Sequence, residues 1–194
     1  MPALVTPRLR LVPITLDMLE AVLDHDKPRA EALLGAAFPG EWPNDDLVAR
    51  AFPYSRRAIV AAPALRLWGD SFVLAKDEPR VIGSVVFHGH PAGHATRYAV
   101  PEMERGGTDV GEPGVAEVAY GIEEGSRGQG FAIEATRACV EWALAEDGIV
   151  AVQATTFPWH YASLGVINRL GMVRASTREH PLFGELLVFE RRRS

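Results

Sequence analysis

The fold is decided by one stretch in the second half of the chain, Gly121-Ile122-Glu123-Glu124-Gly125-Ser126-Arg127-Gly128-Gln129-Gly130-Phe131-Ala132-Ile133-Glu134-Ala135. The strand-like run that leads into it, 115–122, places Val118, Tyr120 and Ile122 on one face. The residues that follow, 132–145, are rich in Ala, Glu, Leu and Arg, which favour a helix. The sequence therefore predicts a strand, a tight turn and the first turn of a helix.

This turn has the chemistry of an anion site. Gly128 and Gly130 have no Cβ, so the backbone can turn sharply and a ligand can come close to it. The first amides of a helix have no partner inside it, and with the positive end of the helix dipole they suit a phosphate. Arg127 adds a formal charge beside them. The spacing is neither G-x-G-x-x-G nor G-K-S/T, so nucleotide folds of those kinds are not supported.

The turn resembles the pyrophosphate-binding motif R/Q-x-x-G-x-G/A of the GCN5-related N-acetyltransferases (GNAT). Arg127, Gly130 and Ala132 match that motif. The longer string, Tyr-Gly-Ile followed by Arg-Gly-Gln-Gly-Phe-Ala-x-Glu-Ala, is similar to the branch that includes the ribosomal-protein alanine N-acetyltransferases. The alternative interpretation is an ordinary connection whose glycines serve only the turn.

Composition limits the class of protein. The chain has 194 residues, 47% of them hydrophobic and 23% charged, which suits one globular domain over residues 1–194. The net charge of −5 gives no general basic surface for nucleic acid. A single cysteine suits a reducing compartment, and we find neither a membrane-spanning run nor an apolar signal core. We therefore expect a cytoplasmic protein without nucleic-acid or membrane partners.

The order of predicted elements matches the acetyltransferase fold over nearly the whole chain. The predicted strands cover residues 8–13, 71–75, 80–87, 115–122, 149–156, 172–177 and 186–190. The predicted helices begin at Leu16, cover 28–34, start again at Asn44 or Asp45 with a break near Pro53, and cover 55–61, 132–146 and 160–170. Gly83 within a strand predicts a bulge or a close approach. The resemblance implies an α/β (α+β) GNAT fold: one mixed, largely antiparallel sheet of about seven strands, splayed in the middle, with helices on both faces.

A long loop insertion is predicted from His88 to Gly114, where no periodicity is found. It is either a solvated loop or a lid over the acceptor substrate. Its histidines, His88, His90 and His94, lack a cysteine or well-spaced carboxylate beside them, so we predict no metal site.

The resemblance implies where acetyl-CoA lies. The cofactor would occupy the opening between the strand ending near Ile122 and the strand starting near Ile149. Its pantetheine arm would follow the strand from Glu117 to Ile122 and pair with the backbone. The implied cofactor-binding residues are Val118, Tyr120, Ile122, Arg127, Gly128, Gln129, Gly130, Phe131, Ala132, His160 and Ser163. Glu123 and Glu124 would disfavour phosphate, so we expect them to point to solvent.

A second family signature, Asn-x-x-Ser followed by Gly-Phe, reads here as His160 and Ser163 followed by Gly171 and Met172. His160 replaces the Asn that usually hydrogen-bonds the cofactor arm, and it could donate one such bond. Many relatives carry a Tyr as the acid for the leaving thiolate at about the position of Ile167, which cannot act so. Ser163 is the better candidate for this acid, and Tyr161 is a second candidate. The alternative for Ser163 is a serine on the helix surface with no catalytic role.

Acyl transfer to an amine also needs a base, because amines are mostly protonated at pH 7. Glu117 is a carboxylate in a strand that should be central, so it is either functional or paired. Relatives often place the base at this position. Glu117 is thus a candidate base, with a structural ion pair or a contact to the substrate amine as alternatives. A backbone amide near Val118 or Ala119 would polarise the carbonyl, and Cys139 is expected to be a packed residue.

The leading hypothesis is an acetyl-CoA-dependent N-acetyltransferase that acts on a primary amine by direct transfer. The acceptor could be a protein N-terminus or a small-molecule amine. The alternative is a binding module of the same fold that holds acyl-CoA as a sensor or scaffold. A longer acyl group and a homodimer are left open.

Overall fold

The computed structural model describes residues 3–40, 52–61, 63, 68–88, 113–180 and 184–194. Its strands are β1 (Leu4–Val5), β2 (Leu9–Pro13), β3 (Asp70–Ala75), β4 (Arg80–Phe87), β5 (Val115–Ile122), β6 (Ala151–Thr156), β7 (Val173–His180) and β8 (Gly184–Arg192). Its helices are α1 (Leu16–Leu23), α2 (Lys27–Leu34), α3 (Phe52–Ala61), α4 (Phe131–Ala145) and α5 (Tyr161–Arg169), with a 3-10 turn at Glu124–Ser126. Across these ranges the strands form one sheet in the order β1-β2-β3-β4-β5-β6-β8-β7.

The predicted sheet is confirmed: its strands are mixed, and every pairing except β5–β6 is antiparallel. Within the described ranges it has eight strands, one more than predicted. The addition is β1, which pairs Leu4 with Leu11 and Val5 with Arg10 of β2. Two residues are too few to show an alternating pattern, so sequence alone gave no signal for this strand.

Helices cover both faces of the sheet, as predicted. Side chains alternate across β3, so Phe72 and Leu74 join a core with residues of α1, α2 and α3. Val73 points to the other face and joins the core built by α4 and α5. We call residues 127–132 the anion turn. The helix that follows it, α4, and the helix of the second signature, α5, therefore lie on one face of the sheet, and α1–α3 lie on the other.

Local signals explain most helix ends. Thr15 caps α1 by accepting a hydrogen bond from the amide of Met18, and Gly35 ends α2 in the left-handed conformation. α3 runs from Phe52 to Ala61, so it begins three residues before the predicted resumption at Ser55, and the stretch in which the predicted break would begin lies outside the described residues. Pro53 lies in the first described turn of α3, where a missing amide hydrogen costs little. The predicted caps at residues 44 and 45 lie outside the described residues.

Gly83 makes the predicted close approach. A Cβ at this position would lie 2.1 Å from the carbonyl oxygen of Gly121 on β5, so only glycine fits. The register between β3 and β4 also shifts beside it, between Val73 and Leu74, which confirms the predicted bulge. Both features set how β4 lies against β5, the strand that leads to the anion turn.

Candidate active site

The sheet opens at β5. The first three residues of this strand, 115–117, pair in parallel with residues 151–153 of β6. From Val118 to Ile122, its ladder partner within the described ranges is β4 alone. The backbone groups of 118–122 that face β6 therefore form an open strand edge, to which an extended chain can add. This is the splay that the sequence resemblance implied.

The turn that follows has the predicted glycine conformations. Gly128 has φ +77° and Gly130 has φ +82°, values that other residues rarely adopt. Gly130 is the residue before α4, and no side chain caps this helix. Within the described ranges, no hydrogen bond engages the amides of residues 128–133. These donors are therefore available to an anion, which would displace no described protein group.

Arg127 supplies a cation at this turn. Its Nε donates to the carbonyl oxygen of Ile122 at 3.0 Å, and its side chain is otherwise exposed. This bond ties the residue to the end of β5, and no other described residue engages the guanidinium, which suits it to meet a diphosphate.

Glu123 corrects one expectation. Its carboxylate does not point to solvent: it accepts from Arg80 Nη1 at 2.7 Å, from Ser126 Oγ at 2.5 Å and from the Gly125 amide at 2.8 Å. The hydrogen bond from Ser126, with those from Arg80 and Gly125, lowers the pKa of Glu123 in spite of the opposing effect of burial. The negative charge that seemed unfavourable for phosphate is thus neutralised by Arg80 and shapes the turn. Glu124 is exposed, as expected.

Glu117 lies where the two strands part. Its side chain is only 6% exposed, and its Oε1 accepts a hydrogen bond from Thr155 Oγ1 of β6 at 2.9 Å. Thr155 lies two residues beyond Gln153, the last residue of β6 that pairs with β5. The side chains therefore bridge the strands just after the backbone ladder ends. No ion pair to Glu117 occurs among the described residues, so the alternative of a structural ion pair gains no support from them.

Tyr120, Ser163 and His160 meet on the face that carries α4 and α5. The Tyr120 hydroxyl lies 3.0 Å from Ser163 Oγ and 3.2 Å from the Ser163 carbonyl oxygen. Burial raises the pKa of Tyr120, with the Ser163 hydrogen bond acting in the opposite direction, so this hydroxyl stays protonated at neutral pH. The sequence did not predict this pair, because Tyr120 and Ser163 lie 43 residues apart.

His160 has a structural reason to replace Asn. It is the N-cap of α5, and its Nδ1 accepts the Ser163 amide at 3.3 Å. An acceptor Nδ1 leaves the proton on Nε2, so the ring can still donate one hydrogen bond outward. Asn is also a favoured N-cap, so the exchange preserves the start of the helix.

The remaining predicted residues lie on β5, at the turn and in the core. Val118 is buried, so it offers a ligand its backbone rather than its side chain. Ile122, Phe131 and Ala132 are half-buried at the turn, and Gln129 is exposed beside them. Ile167 is fully buried in the core and offers no acid.

Two further predictions concern metal binding and thiol chemistry. Burial raises the pKa of Cys139 to about 12, as expected for a packed thiol. Within the described residues no group of three potential metal ligands occurs, while His90 and His94 lie outside them. None of the described helices is both long and apolar enough for a membrane span.

Sequence reasoning missed the residues that support the turn and Glu117. Thr155 holds Glu117, Arg80 holds Glu123, and Thr6 and Arg8 hold Glu134. Each bond joins residues at least 38 positions apart, so no local pattern could have indicated them. Glu134 lies within the deciding stretch, yet its sequence context indicates only a helix.

Comparison with known proteins gives the same fold and family. The family model of the acetyltransferase (GNAT) domain matches residues 8–173. An uncharacterised N-acetyltransferase of Bacillus subtilis (strain 168), YjdG, is 26% identical over 173 residues, 89% of this chain and 90% of its own. A GNAT-family acetyltransferase from Bacillus anthracis has a TM-score of 0.59 at 15% identity and covers 98% of each chain.

The ribosomal-protein-S5-alanine acetyltransferase from Vibrio fischeri has a TM-score of 0.64 at 13% identity, covering 100% of this chain and 98% of that one. At such identities the structural likeness shows the fold alone. The family match covers most of the sequence, including the turn, the open edge of β5 and the start of α5. The chain therefore belongs to the GNAT family of acetyltransferases, enzymes that use acetyl-CoA as the acyl donor.

Proposed function

We propose that this chain binds acetyl-CoA in the opening between β5 and β6 and catalyses direct acetyl transfer to a primary amine. One observation carries the proposal: among the described residues, β5 loses its parallel partner after Glu117 and leads to a turn whose amides have no acceptor. An open strand edge suits the amides of a pantetheine arm, and free helix amides suit a diphosphate. The open edge of β5 leads into the turn, which is the order in which the pantetheine arm and the diphosphate follow each other in the cofactor.

The residues present fit this cofactor. The backbone of 118–122 would pair with the pantetheine arm, and the amides of 128–132 with Arg127 would hold the diphosphate. His160 Nε2, on the other side of the opening, can donate one further hydrogen bond. When bound, acetyl-CoA supplies the acetyl group as a reactive thioester.

Glu117 is proposed as the base that takes a proton from the incoming amine. The hydrogen bond from Thr155 fixes Oε1, and within the described residues Oε2 has no hydrogen-bond partner. Oε2 can therefore accept a proton directly or through a water molecule. Burying the Glu117 carboxylate in a central strand costs stability, and a catalytic role would explain why the residue is there.

Ser163 is proposed as the donor that stabilises the leaving thiolate. Its Oγ lies within hydrogen-bond distance of the Tyr120 hydroxyl. When Tyr120 donates to Ser163 Oγ, the serine proton is free to be donated to a leaving group. Because Tyr120 stays protonated at neutral pH, it holds Ser163 in this donor state when its proton goes to Ser163 Oγ and not to the Ser163 carbonyl oxygen at 3.2 Å.

The amine acceptor is either a protein N-terminus or a small molecule. The full-length structural likeness to a ribosomal-protein alanine acetyltransferase favours a protein N-terminus, as an analogy at the level of the fold. The reducing cytoplasm, which suits the single buried Cys139, is the proposed location.

Isothermal titration with acetyl-CoA, CoA and longer acyl-CoAs tests the proposal first. We expect saturable binding of acetyl-CoA, and then turnover with an amine from a panel of peptides with free N-terminal Ala or Ser and of small amines. Binding without turnover across the panel would favour the sensor or scaffold alternative. No binding of any acyl-CoA would overturn the proposed function.

A further inference from the structure

The loop between β1 and β2 reaches the anion turn through Arg8. Arg8 Nη1 donates to the carbonyl oxygen of Gln129 at 3.0 Å, and its guanidinium lies 4.6 Å from the centre of the Phe131 ring. Its Nε also donates to Glu134 Oε2 at 2.6 Å. A single side chain thus contacts the turn, the first residue of α4 and the first turn of that helix.

Thr6 completes the contact from the same loop. Its hydroxyl donates to Glu134 Oε1 at 2.5 Å and accepts the amide of Leu9 at 2.9 Å. The backbone amide of Arg8 donates to Glu134 Oε1 as well, at 2.9 Å. Both oxygens of Glu134 are therefore engaged by a loop that lies more than 120 residues away in sequence.

This group differs from an ordinary surface ion pair, which contributes little because its two long side chains are solvated and free to move. Here the Arg8 side chain is 47% exposed, but the Glu134 side chain is only 17% exposed and its carboxylate receives three hydrogen bonds. Burial alone would raise the pKa of Glu134, but the bonds from Thr6 and Arg8 outweigh it and lower the pKa. The group therefore prefers the charged form of Glu134 and a single arrangement of its side chains.

We infer that Thr6, Arg8 and Glu134 form a clamp that positions the anion turn and thereby sets the affinity for the diphosphate of acetyl-CoA. The clamp residues act through the backbone of residues 128–132. Because these amides must all point at one anion, small movements of the turn would weaken several bonds together. The inference rests on the proposed function, in which this turn binds the diphosphate.

A second role for Arg8 makes the opposite prediction. Were Arg8 simply a positive charge near the diphosphate, removing the negative charge of Glu134 would free it and strengthen binding. If Glu134 holds the turn in shape, its loss weakens binding in spite of the more favourable charge. The sign of the change in affinity for Glu134→Gln therefore separates the two roles.

The experiment measures acetyl-CoA affinity by isothermal titration for the full chain and for Glu134→Gln, Thr6→Val and Thr6→Ser. We expect Glu134→Gln and Thr6→Val to raise the Kd about tenfold, because bonds to a charged group are lost. Thr6→Ser keeps the hydroxyl and should remain close to the unmodified protein. The matched control is Glu185→Gln, which breaks the exposed Arg174–Glu185 pair (3.2 Å) between β7 and β8 and should leave the Kd unchanged.

Two further measurements separate the clamp from the proposed function. Hydrogen exchange of the ligand-free protein should show faster exchange in Glu134→Gln at the amide of residue 134, which donates to the Gly130 carbonyl oxygen at 3.1 Å and joins the turn to α4. S-acetyl-pantetheine, which lacks the diphosphate, should bind equally to both proteins. Tighter or unchanged acetyl-CoA binding by Glu134→Gln and Thr6→Val would overturn the clamp while leaving the proposed function intact. Absence of acetyl-CoA binding in the unmodified protein would overturn the proposed function, and hydrogen exchange would still report whether the clamp holds the turn.

Discussion

The two walls of the opening are built in different ways. The first wall, formed by β5, the anion turn and α4, offers a ligand mostly backbone groups. Side chains support it on two sides. On the strand side Arg80 and Ser126 bind Glu123, and on the helix side Thr6 and Arg8 bind Glu134. The second wall, formed by β6 and α5, offers side chains, chiefly Ser163 and His160. The Tyr120 hydroxyl contacts Ser163 Oγ, and His160 is held by the hydrogen bond that its ring accepts from the Ser163 amide.

This difference has a functional consequence. A wall of backbone amides recognises a shape and charge that every CoA ester shares, so its mutations should change affinity. In the wall of side chains, Ser163 can donate a proton, so its mutation should change the rate, whereas His160 offers the cofactor one hydrogen bond, so its mutation should change affinity. Glu117 and Thr155 join the two walls at the point where they part.

The largest expected effect is that of Glu117→Gln, at the junction of the walls. The amide can still accept from Thr155 but cannot take a proton from the amine, so kcat should fall by about 10²–10⁴-fold. The Kd for acetyl-CoA, measured by titration, should stay within about twofold, because the turn is untouched. Loss of folding in place of loss of rate would instead identify Glu117 as a structural residue.

A smaller loss of rate is expected at the second wall. Ser163→Ala should lower kcat by about 10²-fold because it removes the proposed donor to the leaving group. Tyr120→Phe should lower kcat less, about tenfold, since Tyr120 acts through Ser163. Steady-state kinetics of the double variant provide the check: it should be no slower than Ser163→Ala alone, and independent, multiplying effects would contradict the coupling.

The first wall should respond in affinity. Gly130→Ala forces a side chain into a left-handed conformation, which costs about 1–2 kcal/mol of stability and displaces the turn. The Kd for acetyl-CoA should rise about tenfold while kcat at saturation changes little. Gly35→Ala is a matched control, because Gly35 also has positive φ (+68°) with nothing within 4 Å of a Cβ. Thermal unfolding should show a similar loss of stability in both variants, and only Gly130→Ala should lose affinity.

The sequence predicted the first wall better than the second. Gly128 and Gly130 act through their own backbone, so a local pattern is enough to find them. Glu117 was recognisable because a carboxylate in a central strand is unusual. The pairing of Tyr120 with Ser163 and the bridge from Thr155 depend on how distant elements pack. No local pattern encodes such packing.

Glu123 shows why local reasoning about charge can fail. Judged beside the turn alone, its carboxylate disfavours phosphate. In the fold, Arg80 lies 43 residues away in sequence and neutralises it at 2.7 Å. The sign of a local electrostatic effect therefore depended on a partner that only the tertiary structure supplies.

A modest effect is expected from His160→Asn, which restores the residue usual in the family. Asn caps helices at least as well as other polar residues, so stability should change by less than about 1 kcal/mol. Its amide can donate to the cofactor arm with geometry that an imidazole lacks, so the Kd for acetyl-CoA should fall a few-fold. His160→Ala, which loses both the cap and the donor, should weaken binding. Equal affinity in all three proteins, measured by titration, would show that the second wall does not contribute to cofactor binding.

The smallest expected effect concerns the pH dependence of stability, and it tests the two supports of the first wall. The pKa values of Glu123 and Glu134 are both lowered from the ordinary value of 4.5. A lowered pKa in the folded state stabilises the protein above 4.5, and this contribution is lost as the pH falls below it. The thermal midpoint should therefore decline from about pH 4.5 downwards, and each Glu→Gln variant should decline less steeply because it has lost one titrating group. If only Glu134→Gln flattens the profile, the support on the helix side depends on the charge of Glu134, and the support on the strand side does not depend on the charge of Glu123. An unchanged profile in both variants would mean that other carboxylates control the acid response, and that neither support depends on its charge.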